Sequence, residues 1–206
     1  FTGYLSWFID QLSVDAQLGY SAGDFSTERN IKSFGTWATG DTESEQYNLS
    51  AQVDYSLAMD AFTARPFLRL DYLSTTIDGY TETGGAGLAM GIEDQDLDQV
   101  TASLGVDTTY AISFDWGVLV PGVKLAAVND TSTDYAPVVF HLLDDASSDG
   151  VFSLRPDGED SMYYQLDLGA VFQLKNGIAT FLTVQNTFGY DDLSAYQVVG
   201  GFNIEL

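Results

Sequence analysis

Three groups of residues in this chain have types and spacings that could do chemistry. The first is His141, the sole histidine, close in sequence to Asp144 and Asp145. A histidine backed by a carboxylate acts as a general base when a nucleophile lies within hydrogen-bonding reach. Cysteine is absent, and no serine is read in a strained Gly-x-Ser-x-Gly turn, so the sequence assigns no catalytic residue. The second group is Glu93-Asp94-Gln95-Asp96-Leu97-Asp98, a run of oxygen ligands suited to a hard cation. It lacks the central glycine and the distal glutamate of a calcium-binding helix–loop–helix motif, so it reads as a solvated acidic loop and no metal site is expected. The third is a set of isolated charges, Asp15, Asp54, Arg69, Asp71, Asp107, Lys124 and Asp167, each flanked by apolar or small neighbours.

What the third group does depends on the elements that carry it. Leu12, Val14, Ala16, Leu18 and Tyr20 alternate with Ser13, Asp15, Gln17 and Gly19. Tyr47 to Leu57, Val100 to Tyr110, Tyr164 to Leu174 and Tyr196 to Leu206 repeat the pattern. Side chains along a strand alternate between faces, so each run has one apolar face and one polar face. The runs last nine to thirteen residues. Strands of soluble sandwiches usually last about five or six, whereas a tilted strand crossing a bilayer needs about 9–11. Nine strands are predicted, at 2–10, 12–22, 45–59, 66–77, 98–112, 117–129, 162–174, 177–189 and 194–206.

The connections alternate too. Short turns are expected at Asp10-Gln11, around Asp60 to Arg65, at Ser113 to Trp116 and at Lys175-Asn176, and long loops at 23–44, 78–97 and 130–161, with a shorter one at 190–194. Short turns on one rim and long loops on the other is the arrangement of an outer-membrane barrel. Twenty of the thirty carboxylates fall in 23–44, 78–98, 130–160 and 191–192, which places the acidity outside the wall. On the outward face, Tyr20, Tyr47, Tyr164, Tyr190 and Tyr196 come near the upper rim, and Tyr55, Tyr110, Phe172 and Phe202 near the lower one. Two aromatic girdles are expected where amphipathic rings meet lipid headgroups. The isolated charges then face inward, where they line a wet pore, hold a threaded segment, or pair with one another, as Arg69 with an Asp. The fold class is therefore all-β: a transmembrane antiparallel up-and-down barrel.

Composition excludes other classes. A net charge of −23 is incompatible with ordinary nucleic-acid binding. No apolar run approaches the roughly 18 to 20 residues of a transmembrane helix; Gly117 to Val128 is cut by Pro121 and Lys124. Phe1-Thr2-Gly3-Tyr4 has neither a basic start nor a cleavage site, which suggests a segment of a longer envelope protein. Nine is an odd number, whereas bacterial single-chain barrels close with an even one.

The residues resemble the autotransporter β-domain of type V secretion. The resemblance is carried by Leu12 to Tyr20 leading to Phe25-Ser26-Thr27-Glu28-Arg29, by Arg65-Pro66-Phe67-Leu68-Arg69-Leu70-Asp71-Tyr72, and by Gly79-Tyr80-Thr81-Glu82-Thr83-Gly84. Val120-Pro121-Gly122-Val123 and the terminal Gly-Gly-Phe-Asn-Ile-Glu-Leu complete it. It implies that 1–206 is a single barrel domain holding about nine strands of a twelve-stranded cylinder, without the first strands, the pore helix or the passenger. It also implies an assembly signal, with Gly201, Ile204 and Leu206 matching its glycine and two terminal apolar positions; Leu206 stands where a terminal Phe is usual. The partners expected are outer-membrane lipid and lipopolysaccharide, the barrel-insertion machinery and the chain's own passenger. The leading expectation is a non-enzymatic translocator without a cofactor; the rivals are a general porin and a barrel-embedded hydrolase using His141.

Overall fold

A computed structural model describes residues 1–131, 136–145, 150–155, 161–175, 177–189 and 194–204. Its strands are β1 (Thr2–Ile9), β2 (Leu12–Ile31), β3 (Thr36–Tyr55), β4 (Leu57–Met59), β5 (Phe62–Ile77), β6 (Tyr80–Thr81), β7 (Thr83–Gly84), β8 (Met90–Ile92), β9 (Gln95–Tyr110), β10 (Ile112–Phe114), β11 (Gly117–Asp130), β12 (Val138–Leu142), β13 (Val151–Leu154), β14 (Met162–Leu174), β15 (Ile178–Phe188) and β16 (Ala195–Ile204). The wall is one antiparallel sheet in the order β1-β2-β3-β5-β9-β11-β14-β15-β16, with β4 and β10 adding to β5 and β11. Every neighbour in the path is the next wall strand in the chain, so the sheet is an up-and-down meander that curls into a half-barrel. All nine predicted strands are present.

The residues at the turns explain the lower rim. Two-residue hairpins need positive φ, which Asp and Gly tolerate better than branched residues. Asp10 and Asp60 adopt φ of 51° and 52° in the turns into β2 and β5. The turns expected around 60–65 and 113–116 shrink to Asp60-Ala61 and Asp115-Trp116, because strand pairing continues to Phe62 and Phe114. Gly177 has φ 81°, while Asn176 lies outside the described residues.

At the upper rim the loops expected at 23–44 and 78–97 prove largely regular, and the described part of 130–161 contains β12 and β13. Strands β2 and β3 run 20 residues each and stay in register from Leu12↔Tyr55 to Ile31↔Thr36 without a bulge. At about 3.3 Å per residue each spans about 66 Å, roughly twice the hydrocarbon thickness of about 30 Å. Half of this hairpin therefore stands above the membrane. The segments after β5 and β11 build a second, four-stranded sheet in the order β13-β12-β8-β6. Alternation of polar residues such as Ser, Thr and Glu hides the extensions of β2 and β3, since a water-exposed ribbon needs no apolar face, and the strands of the second sheet are only two to five residues long.

Burial is inverted relative to a water-soluble protein. In β3 the apolar residues Tyr47, Leu49, Ala51, Val53 and Tyr55 are exposed, and the polar Asn48, Ser50, Gln52 and Asp54 are half-buried. Leu104 is 65% and Leu49 49% exposed. Among the described residues the buried apolar side chains are Ala38, Phe67, Ala89, Ala126 and Val128. Burying one leucine contributes about 1.5–3 kcal/mol, so continuous rows of exposed ones demand a hydrocarbon solvent. Leu104→Arg should therefore cost about 2–4 kcal/mol in the vesicle-inserted complete protein. Thr101→Arg, on the opposite face beside Asp71, should cost less than about 1 kcal/mol. Denaturant unfolding in lipid vesicles measures both; equal losses would contradict the assignment of faces.

Candidate functional site

The inward face of the wall carries the isolated charges, and strand register sorts them into rungs. One rung runs across four strands as Arg65, Asp107, Lys124 and Asp167, each directly opposite the next. Its charges alternate in sign. Arg65 bonds Asp107 at 2.6 Å, and the Lys124 ammonium lies 4.8 Å from the Phe67 ring centroid. Cross-strand pairs of this kind are worth about 0.2–1 kcal/mol, and the half-exposed Arg65 pair falls low in that range. Oδ1 of Asp167 is buried without a hydrogen-bond partner among the described residues. Arg69 pairs with Asp71, two residues along the same strand, at 2.6 Å. Ser6 donates to Asp15 across β1 and β2, and Gln52 donates to Asp54 at 2.9 Å.

Two features of this face went unread in the sequence. Arg65 belongs to the rung, although its position was assigned to a turn. A small apolar cluster of Phe67, Ala126 and Val128, packed on by Tyr163, also interrupts the polar lining. Phe67 lies across Gly105, where an added methyl would meet the ring at 2.6 Å. The signal was present as Phe67 sharing parity with Arg65 and Arg69, but its partner Gly105 is fixed only by register.

The outward face changes character at one height. Tyr20 and Tyr47 pair with ring centroids 5.0 Å apart, and Tyr164 stacks on Phe188 at 5.8 Å. The hydroxyl of Tyr20 donates to Glu45 at 3.0 Å and that of Tyr72 to Asp98 at 2.9 Å. Above them the same face bears Asp24, Glu28, Asp41, Glu43 and Asp96, so much of the acidity sits on strand extensions rather than in loops. At the other end Tyr55, Tyr110 and Phe202 are exposed and Phe172 is half-buried. Tyr196 is exposed near the top of β16. Gly201 lies under the Phe181 ring and Ile204 pairs with Ile178. Tyr190 and Leu206 lie outside the described residues.

A third constellation joins two segments that are 53 residues apart. The Arg29 guanidinium donates to both Glu82 oxygens, Nε at 2.9 Å and Nη2 at 2.6 Å, and also to the Leu88 carbonyl at 2.7 Å. The Met90 amide donates to the same carboxylate at 2.9 Å. Glu82 is only 5% exposed. A tight left-handed turn makes this possible: Gly84, Gly85, Ala86 and Gly87 all have positive φ, and a side chain at Gly84 would collide with the Trp37 carbonyl. Fork-to-carboxylate geometry fixes orientation as well as charge.

A family model for the autotransporter β-domain matches residues 1–185. The chain belongs to this family. The β-domain is thus an outer-membrane barrel, in keeping with the inverted burial. Three curated proteins are similar over part of it. An uncharacterized protein in the trpE-trpG intergenic region of Pseudomonas putida is 32% identical over 93 residues, 43% of this chain and 15% of that protein. Esterase EstA of Pseudomonas aeruginosa and Esterase EstA of Pseudomonas putida are each 30% identical over 79 residues, 37% of this chain and 12% of theirs. The matched stretch thus spans about a seventh or less of the curated relatives.

The chemical candidates in the β-domain resolve differently. His141 is a strand residue of β12 whose ring covers Gly91 in β8. Gly19-Tyr20-Ser21-Ala22-Gly23 does spell the serine-nucleophile pattern, but Ser21 lies mid-strand in β2 with no turn or helix to present it. The acidic run disperses: Asp94 accepts from the Gly79 amide, Asp96 from Thr76 and Asp98 from Tyr72. No cluster suited to a metal ion forms among the described residues.

The Arg29 hydrogen bonds hold the Glu82 carboxyl below its ordinary 4.5, against the opposing effect of burial. A lowered folded value means that the stabilisation is complete above the ordinary carboxylate range and is lost as pH falls through the lowered value. Amide exchange at Met90 should stay protected at pH 5 and open only below about 4.5. In Glu82→Gln it should be faster already at pH 7. Hydrogen-exchange mass spectrometry checks this; protection that is independent of pH and of the substitution would contradict it.

Proposed function

We propose that this β-domain is the wall of a translocator that anchors in the outer membrane and passes an N-terminal passenger to the cell surface without covalent chemistry. The observation that carries the reading is the two-faced sheet: apolar outside, and inside a polar lining that includes one rung of alternating charge, Arg65, Asp107, Lys124 and Asp167. Such a lining hydrates a lumen. We infer that Asp15, Asp54, Arg69, Asp71, Asp107, Lys124 and Asp167 face that lumen, with Arg65 added by register. Among the described residues β1 and β16 each pair with one neighbour only. Unpaired N–H and C=O groups cost several kcal/mol each in hydrocarbon, so further strands complete the cylinder; the family resemblance supports a total of twelve and a segment within the pore.

The same reading names the partners. Rows of exposed leucine and valine suit lipid chains, and the tyrosine belts suit the headgroup layers. Gly201 and Ile204 on β16 support recognition by the barrel-insertion machinery. Divalent cations would bridge the phosphates of lipopolysaccharide to the acidic band above Tyr20 and Tyr47. An esterase reading gains nothing from Ser21 or His141, which lie in separate strands of separate sheets.

The test is to replace the passenger of the complete natural protein with a reporter. Surface protease should remove the reporter from intact cells while the barrel remains protected. A reporter held in the periplasm beside a correctly inserted, heat-modifiable barrel would overturn the proposal.

A further inference from the structure

Above the membrane, the lumen-facing side of the β2–β3 hairpin is not open. Register continues unbroken, so Thr27, Arg29 and Ile31 of β2 and Ala38 and Gly40 of β3 lie on the same face as Asp15 and Asn48 below. The segment that follows β5 climbs the edge of β3, where Thr39 opposes Thr83 and Ala38 opposes Gly84. It then turns over the inner face. Tyr80 lies on Gly40, and Gly85 packs between Ala38 and Ile31. Ala38 is fully buried there, and Ala89 nearly so. From this point β8 pairs with β12, so the folded segment is tied to the one that rises from β11 on the far side of β9.

We propose that this shelf is a lid over the outer end of the lumen, latched by Arg29 and Glu82. The geometry that supports it is specific. The latch is the most deeply buried ion pair among the described residues, it stands on the inner face of the extension, and it fixes the turn that carries the chain inward. The packing beneath sets small residues, Gly40, Ala38 and Gly85, against Tyr80 and Ile31, so the shelf lies close on the hairpin. Burial of one carboxylate makes the latch strong when paired and costly to leave half-paired. A passing chain must displace the shelf, and the latch returns it. The inference rests on the translocator reading, because it is the exported chain that opens the lid.

Residues 1–206 of the β-domain contain no cysteine, so a single disulfide can be placed in them once any cysteine elsewhere in the complete protein is replaced by serine. In the complete natural protein, Thr39→Cys with Thr83→Cys joins two residues whose hydroxyls are 3.2 Å apart on the shelf and the hairpin. With the disulfide formed, verified by gel mobility, the passenger should accumulate in the periplasm, and a pulse of reductant should release it to the surface. Glu82→Gln alone should shorten the time the passenger takes to appear, and adding the oxidised disulfide should abolish that gain. Normal display through the oxidised lock, or unchanged kinetics in Glu82→Gln, would overturn the lid while leaving the translocator standing. Absence of display from the unsubstituted protein, with the barrel inserted, would instead overturn the translocator reading, and the lid with it.

Discussion

Everything in this chain answers to the backbone hydrogen bond in a solvent that offers none. Inside a bilayer each peptide N–H and C=O must find a protein partner, and a strand does so only through its neighbours. That requirement makes the strands long enough to cross, keeps them antiparallel and sequential, and sets short turns at one rim. It also forbids a free edge in lipid. Side-chain polarity follows from the same solvent. Once the backbone is satisfied, the outward residues need only match hydrocarbon, and the inward ones are left to water and to one another.

The inward face shows how a charged lining is partly neutralised from within. Arg65, Asp107, Lys124 and Asp167 form one rung of alternating sign, and Arg69 turns onto Asp71 within its own strand. No single pair contributes much where water reaches it. Together they let the wall carry many ionisable groups without a large local field. The Arg29–Glu82 pair is a different case, since it is buried, bidentate and outside the membrane. There the same chemistry fixes the direction in which a segment folds.

Much of this was legible from residues alone. Period-two alternation at Leu12–Tyr20 and Tyr47–Tyr55 announced both the strands and their faces, because a one-residue slip would expose charge to lipid. What could not be read is whatever depends on register between strands. Lys124 stands opposite both Asp107 and Asp167 through the shear of the sheet, and no local pattern records shear. Phe67 shares the parity of Arg65 and Arg69, but only register sets Gly105 beneath its ring. The extensions of β2 and β3 were missed because polar strands in water carry no apolar stripe. Arg29 and Glu82 both lay in stretches that carry the family resemblance, yet nothing in one stretch points to the other. Ser21 shows the converse: a motif that spells a nucleophile is harmless in the middle of a strand.

The central claim is that alternate residues of one strand face lipid and water. It can be tested on β3 in the outer membrane with single cysteines at 47 to 55, since these 206 residues contain none; any cysteine elsewhere in the complete protein is first replaced by serine. A membrane-impermeant maleimide applied to permeabilised cells should label positions 48, 50, 52 and 54, and leave 49, 51 and 53 unlabelled. Uniform labelling along the strand, or labelling of the odd set alone, would contradict the account.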